Sequence, residues 1–179
     1  MSEPAFPVPE APVRAAPPQV SPEREALEGW LDFHRATLLV KCAGLTADQL
    51  ALRACPPSTL SLLGLVRHLT DVERGWFLRR WVPGITPLYW GPDNLDGDFD
   101  DLDPATAAEA VAAYRSSVQT CRDEVARHAL DEVVPRSPED PALGGIDVRW
   151  IYLHLIEEYA RHNGHADLLR QAIDGVTGD

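Results

Sequence analysis

The stretch "IEEYARHNGHADLLR", Ile156 to Arg170, puts Glu158, His162 and His165 at spacings of four and three. On a helix four residues advance about 400° and about 6 Å, so Glu158 and His162 stack on one face, and His165 lies close to that face a turn further on. Leu155 before them and Leu169 after them mark the face as inward. Burying a carboxylate beside imidazoles is costly unless its charge is compensated. A divalent cation would do so, since neutral imidazole nitrogens and a carboxylate oxygen suit zinc or nickel. His68, on the inward side of another apolar stripe, is the natural third ligand. Two plainer readings stay open on spacing alone. Glu158 and His162 can form an internal salt bridge with His165 at the rim, or the whole face can be surface.

Other side chains have supporting parts. Asp71, three residues after His68, is a candidate to orient that imidazole through its free N–H, or to pair with Arg67 or Arg74 at the surface. His165 is a candidate proton shuttle, because its ordinary pKa lies near working pH. Arg161 and Arg170 are candidates to hold a carboxylate of a thiol or substrate. Trp76 and Trp81 fit either a pocket wall or ordinary core. His34 reads as a core or pocket-wall histidine, His154 as rim, and His128 as a helix C-terminal residue. "DGDFDD" invites a calcium loop. Counted from Asp96, however, the sixth and twelfth positions hold Asp101 and Ala107 where glycine and glutamate are needed. A solvated crossover loop pinned by aromatics is the better reading.

Helices must position these residues. Ser21, Pro22, Glu23 and Glu25 open the first, with Leu27, Trp30, His34 and Leu38 as its stripe and Gly44 as its stop. "TADQ" at Thr46 to Gln49 matches a capping box and predicts a short helix to Ala54. The next begins near Ser58 to Ser61, carries Leu62, Leu65, Leu69, Val72 and Trp76, and ends by "VPG". Asp103 and Pro104 open another, whose inward face is Val111, Tyr114, Val118, Cys121 and Val125. Asp147 caps the last. Nothing alternates like a strand. Four amphipathic helices predict an all-α four-helix bundle with long crossover loops. Residues 1–20, rich in proline and alanine, predict a disordered tail, and residues 21–179 a single domain.

Composition removes several classes. The net charge of −12 and the single lysine, Lys41, argue against a nucleic-acid partner or an anionic membrane surface. No apolar run approaches the ~18 residues of a membrane span, and the first twenty residues lack the pattern of a signal peptide. Cys42, Cys55 and Cys121 make no framework, so a reducing cytoplasm is expected.

Together "LLGLVRHLTDVERGWF" and "WIYLHLIEEYARHNGHADLLR" resemble the DinB superfamily of metal-binding four-helix bundles, over roughly Glu23 to Ile173 and closest to a branch common in actinobacteria. That superfamily includes bacillithiol transferases and a mycothiol-dependent maleylpyruvate isomerase. Its ligand set is one histidine on the second bundle helix and two ligands one turn apart on the last. The final ligand is a histidine followed two residues later by glycine. The resemblance therefore implies His68, Glu158 and His162, with Gly164 in place. Many members have histidine where this chain has Glu158, and the isomerase has a carboxylate there. His165 stands where many relatives have glutamine, so the resemblance gives it no ligand role. Three protein ligands leave an open position of the catalytic type. Either a bound water or a low-molecular-weight thiol would be activated there, and the resemblance favours the thiol. It implies a zinc- or nickel-dependent S-transferase or isomerase acting on a small thiol, such as mycothiol, and an electrophile. A non-catalytic metal- or ligand-binding bundle, or a homodimerisation module, is the competing expectation.

Overall fold

The computed structural model describes residues 6–177. Its long helices are α1 (Glu23–Cys42), α3 (Leu62–Phe77), α5 (Ala107–Val125) and α6 (Val148–Asp174), with short helices α2 (Ala47–Ala51) and α4 (Gly97–Asp100) between them. α1 packs along α6, α3 along α5, and α3 also meets α6, giving the all-α bundle that the four stripes predict. Among the described residues no helix is long and apolar enough to cross a membrane.

The ends follow local chemistry. The Ser61 hydroxyl accepts the Gly64 N–H at 3.1 Å to start α3, and Asp147 accepts the Trp150 N–H at 2.7 Å to start α6. The Thr46 and Gln49 side chains form the expected reciprocal box on α2, which stops at Ala51 rather than Ala54. Gly175, at φ +78°, ends α6 in the left-handed conformation that glycine adopts freely. Ser21 caps nothing, and Pro22 takes the N-cap position of α1.

Three expectations are corrected. A short antiparallel ribbon exists, with β1 (Val133–Pro135) paired to β2 (Gly145–Asp147), and it delivers the chain into α6. The buried face of α1 is Leu31, Arg35, Leu38, Leu39 and Cys42, turned from the predicted stripe so that Trp30 is 48% exposed. Residues 6–20 do not run free. Val8 is fully buried and its carbonyl accepts the Gly44 N–H at 2.8 Å. Arg14 lies 4.8 Å from the Phe33 ring centroid. Pro18 fills the space left by the missing side chain of Gly29, where a Cβ would meet its Cδ at 2.6 Å. Prolines leave this segment little freedom to lose, so a few apolar contacts suffice to dock it. The first five residues of the predicted tail lie outside the described residues.

Candidate metal centre

α6 runs 27 residues without a proline, so its register carries unbroken from the Asp147 cap to the polar cluster. Leu155, Tyr159, His162, Ala166 and Leu169 are buried along it, and the Glu158 side chain is 14% exposed. α3 brings His68 opposite, between the buried Leu65 and Leu69. One ligand atom each from His68, Glu158 and His162 lie within 4.8 Å of one another. The His68 and His162 ring centroids are 4.7 Å apart, and His162 Nε2 is 3.4 Å from Glu158 Oε2. A tetrahedral ion with bonds of about 2.1 Å holds its ligand atoms roughly 3.4 Å apart, so small side-chain rotations close this set around one.

The electrostatics suit a cation. Burial first, and then His68, push the His162 imidazole down to about 4, so it is neutral with a free lone pair at neutral pH. Burial works against a charge on Glu158. The Arg161 hydrogen bond and charge, with His162 and His154 nearby, outweigh it and hold the carboxyl below its ordinary range. Two neutral imidazole nitrogens and a carboxylate oxygen are the donor set of zinc or nickel.

The surrounding residues divide. His165 Nδ1 sits 3.3 Å from His162 Nδ1, which leaves His162 Nε2 on the Glu158 side. Trp76 lines a cavity of about 490 Å³ together with His68, Val72, Asp98, Phe99 and Arg79. It also meets His154 edge-on at 4.5 Å and carries the Arg80 guanidinium 4.4 Å from its centroid. Asp71 lines the same cavity, but its carboxylate is engaged elsewhere and the partner of His68 Nδ1 is Asp98. Three residues along a helix turn the side chain about 60° back. Its two oxygens accept the N–H groups of Leu88 (2.7 Å) and Tyr89 (2.9 Å), and burial, despite those bonds, raises its carboxyl above the ordinary range. Arg161 pairs with Glu158 and does not stand free for a substrate carboxylate. Arg170 caps the end of α1 through the carbonyls of Lys41 and Ala43. Trp81 stacks on His128 at 4.2 Å and donates to Glu132, away from the cavity. His34 packs beside Trp30 and Phe33, its carbonyl accepting from Asn163.

Two features escaped the pattern reading. His68 Nδ1 lies 2.8 Å from Asp98 Oδ2, and Asp98 is only 4% exposed although it belongs to the acidic loop. Thirty residues separate the pair, so no helical spacing announces it. The second is a buried network away from the cavity. Arg35 meets Glu73 through two bonds of 2.7 Å, Tyr159 donates to Glu73 at 2.9 Å, and Tyr114 lies 2.9 Å from the Tyr159 hydroxyl. Glu73 stands four residues from both Leu69 and Phe77, a signal of burial that spacing did contain.

Residues 26–175 match the family model described as Mycothiol-S-transferase. No curated protein matches the chain.

Proposed function

The chain belongs to the mycothiol-S-transferase family, a family of the DinB-like superfamily, and from that premise we propose that it is a divalent-metal-dependent enzyme that transfers the sulfur of mycothiol, or a closely related small thiol, to an electrophilic carbon. The observation that carries this reading is the convergence of His68, Glu158 and His162 from two helices, with His68 also lining a cavity of about 490 Å³. A zinc or nickel ion held by those three residues would supply Lewis acidity that favours loss of the thiol proton.

The chain's own residues do the rest. His162 offers a neutral nitrogen, and Glu158 offers a charge kept available by Arg161. His165, in contact with His162 Nδ1, is placed to hold that ring in orientation or to move a proton at its own imidazole. Trp76 and Phe99 give part of the cavity an apolar wall against which an electrophile can pack. The thiol proton passes to the His165 imidazole or to solvent, and the sulfur bonds to the electrophilic carbon while the carbon's leaving group departs, or its multiple bond takes the electron pair and is protonated in turn. A cytoplasmic setting suits a thiol-using enzyme whose Cys42, Cys55 and Cys121 are all free.

The test is metal analysis of protein purified without chelator, followed by addition of mycothiol and a haloalkyl bimane, with the conjugate measured by mass spectrometry. One equivalent of zinc or nickel and metal-dependent conjugate are expected. Stoichiometric metal with no conjugate, and no change in thiol acidity, would favour a binding module instead. Absence of metal binding would remove the site reading altogether.

A further inference from the structure

The connection between α3 and α5 is much longer than a turn requires, and α3 carries a dock built for it. Arg67 donates to the Gly97 carbonyl at 2.9 Å and to the Asp101 carbonyl, and its guanidinium lies 4.6 Å from the Tyr89 ring centroid. Asp71 holds the Leu88 and Tyr89 N–H groups. Gly64 has no side chain where a Cβ would meet the Phe99 ring at 2.8 Å, and a Cβ on Gly97 would meet the Tyr89 carbonyl at 2.5 Å. Docking of the loop is therefore complete without Asp98. Yet Asp98 is turned inward, 4% exposed, with Oδ2 at 2.8 Å from His68 Nδ1. A buried carboxylate is expensive to keep without a donor, and nothing in the docking contacts calls for one here.

We infer that Asp98 is a positioning residue of the metal centre. Resting on the metal-binding reading above, the inference is that Asp98 fixes which nitrogen of His68 faces the ligand cluster. A carboxylate only accepts, so in the neutral ring Nδ1 carries the proton and Nε2 is the nitrogen left with a lone pair for a ligand. The same contact restrains rotation of the ring. The acidic loop thus serves the site through His68, while α3 supplies both the ligand and the dock for the residue that orients it.

The test compares wild type, Asp98→Asn, Asp98→Ala and Asp98→Glu by zinc competition against a chromophoric chelator. Far-UV circular dichroism and thermal melting report whether each variant is folded. Long-range nitrogen–proton NMR of the metal-free proteins reads the His68 tautomer. Wild type is expected to bind zinc and to show His68 protonated at Nδ1. Asp98→Asn and Asp98→Ala are expected to bind zinc roughly 10–100-fold more weakly, in line with the loss of such outer partners elsewhere, and to show a mixed tautomer. Asp98→Glu is expected to recover part of both readouts. Zinc binding by wild type with unchanged affinity and tautomer in folded Asp98→Asn and Asp98→Ala overturns the role of Asp98 and leaves the metal site standing. Failure of wild type to bind zinc or nickel overturns the metal site, and this inference with it.

Discussion

Two polar clusters share α3 and α6 and are built oppositely. Around Glu73 the charges close on themselves. Arg35 answers both carboxylate oxygens, Tyr159 donates to one of them, Tyr114 bonds to Tyr159, and Asp32 takes the remaining arm of Arg35 at 2.9 Å. Burial disfavours the Arg35 charge, but Glu73 outweighs it and holds the guanidinium well above its ordinary range. Burial and then the Glu73 charge push the hydroxyls of Tyr114 and Tyr159 upward. Around His162 the arrangement is acceptor-rich. Two imidazoles and a carboxylate turn toward one another, and Arg161, which pairs with Glu158, approaches on an exposed side chain. A cluster that satisfies itself holds helices together. A cluster whose lone pairs converge is arranged to receive something from outside.

The contrast breaks most visibly at Glu73. Glu73→Ala should cost about 3–5 kcal/mol in urea unfolding, because it strands the buried Arg35. Replacing both partners by apolar residues of similar size, Arg35→Met with Glu73→Leu, should recover most of that loss. A small effect of the single substitution would show that the closed cluster is not structural. Next in size is the response to metal. Zinc at 100 times its dissociation constant should stabilise wild type by about 2.7 kcal/mol in thermal melting. His162→Ala should lose that gain and most of its bound metal, and full zinc occupancy in the variant would refute the ligand assignment.

A smaller effect separates the clusters by pH. The folded pKa of His162, about 4, lies below its ordinary 6.5, so the unfolded chain takes up the proton first. Metal-free protein should therefore lose stability as pH falls from about 6.5 toward 4, with no further loss from this group below that window. His162→Asn should flatten that part of the profile, whereas the double replacement at Arg35 and Glu73 should leave it in place. Identical profiles for wild type and His162→Asn would count against a neutral buried imidazole. The least change is expected at Arg161. As a half-exposed pair with Glu158, its replacement by alanine should shift stability by under ~1 kcal/mol. A loss of several would mean that the open cluster is held shut from the surface.

Helical periodicity made much of this readable. His68, Glu158 and His162 fall on inward stripes, and two stripes that must pack together bring their polar members together. The same arithmetic misplaced Asp71, because three residues turn its carboxylate back toward the 88–89 backbone. It also set the face of α1 by Trp30, whose bulk suggested core, when Arg35 was the buried member. Asp98 was beyond reach for a different reason. The stretch from Trp81 through Asp103 holds six aspartates, and only the Arg67 dock and the bare Gly64 surface select the one that points inward. The docking of residues 6–20 depends likewise on a slot for Val8 that exists only after folding.

α6 carries members of both clusters on neighbouring residues, since Glu158 precedes Tyr159 and the two side chains diverge by about 100°. Any roll of this helix that carried Glu158 closer to α3 would drag the Tyr159 hydroxyl off Glu73. The site therefore inherits the rigidity of its neighbour. A change in the shape of the cluster would have to proceed through α3 or the acidic loop, leaving the last helix as the fixed jaw of the vice.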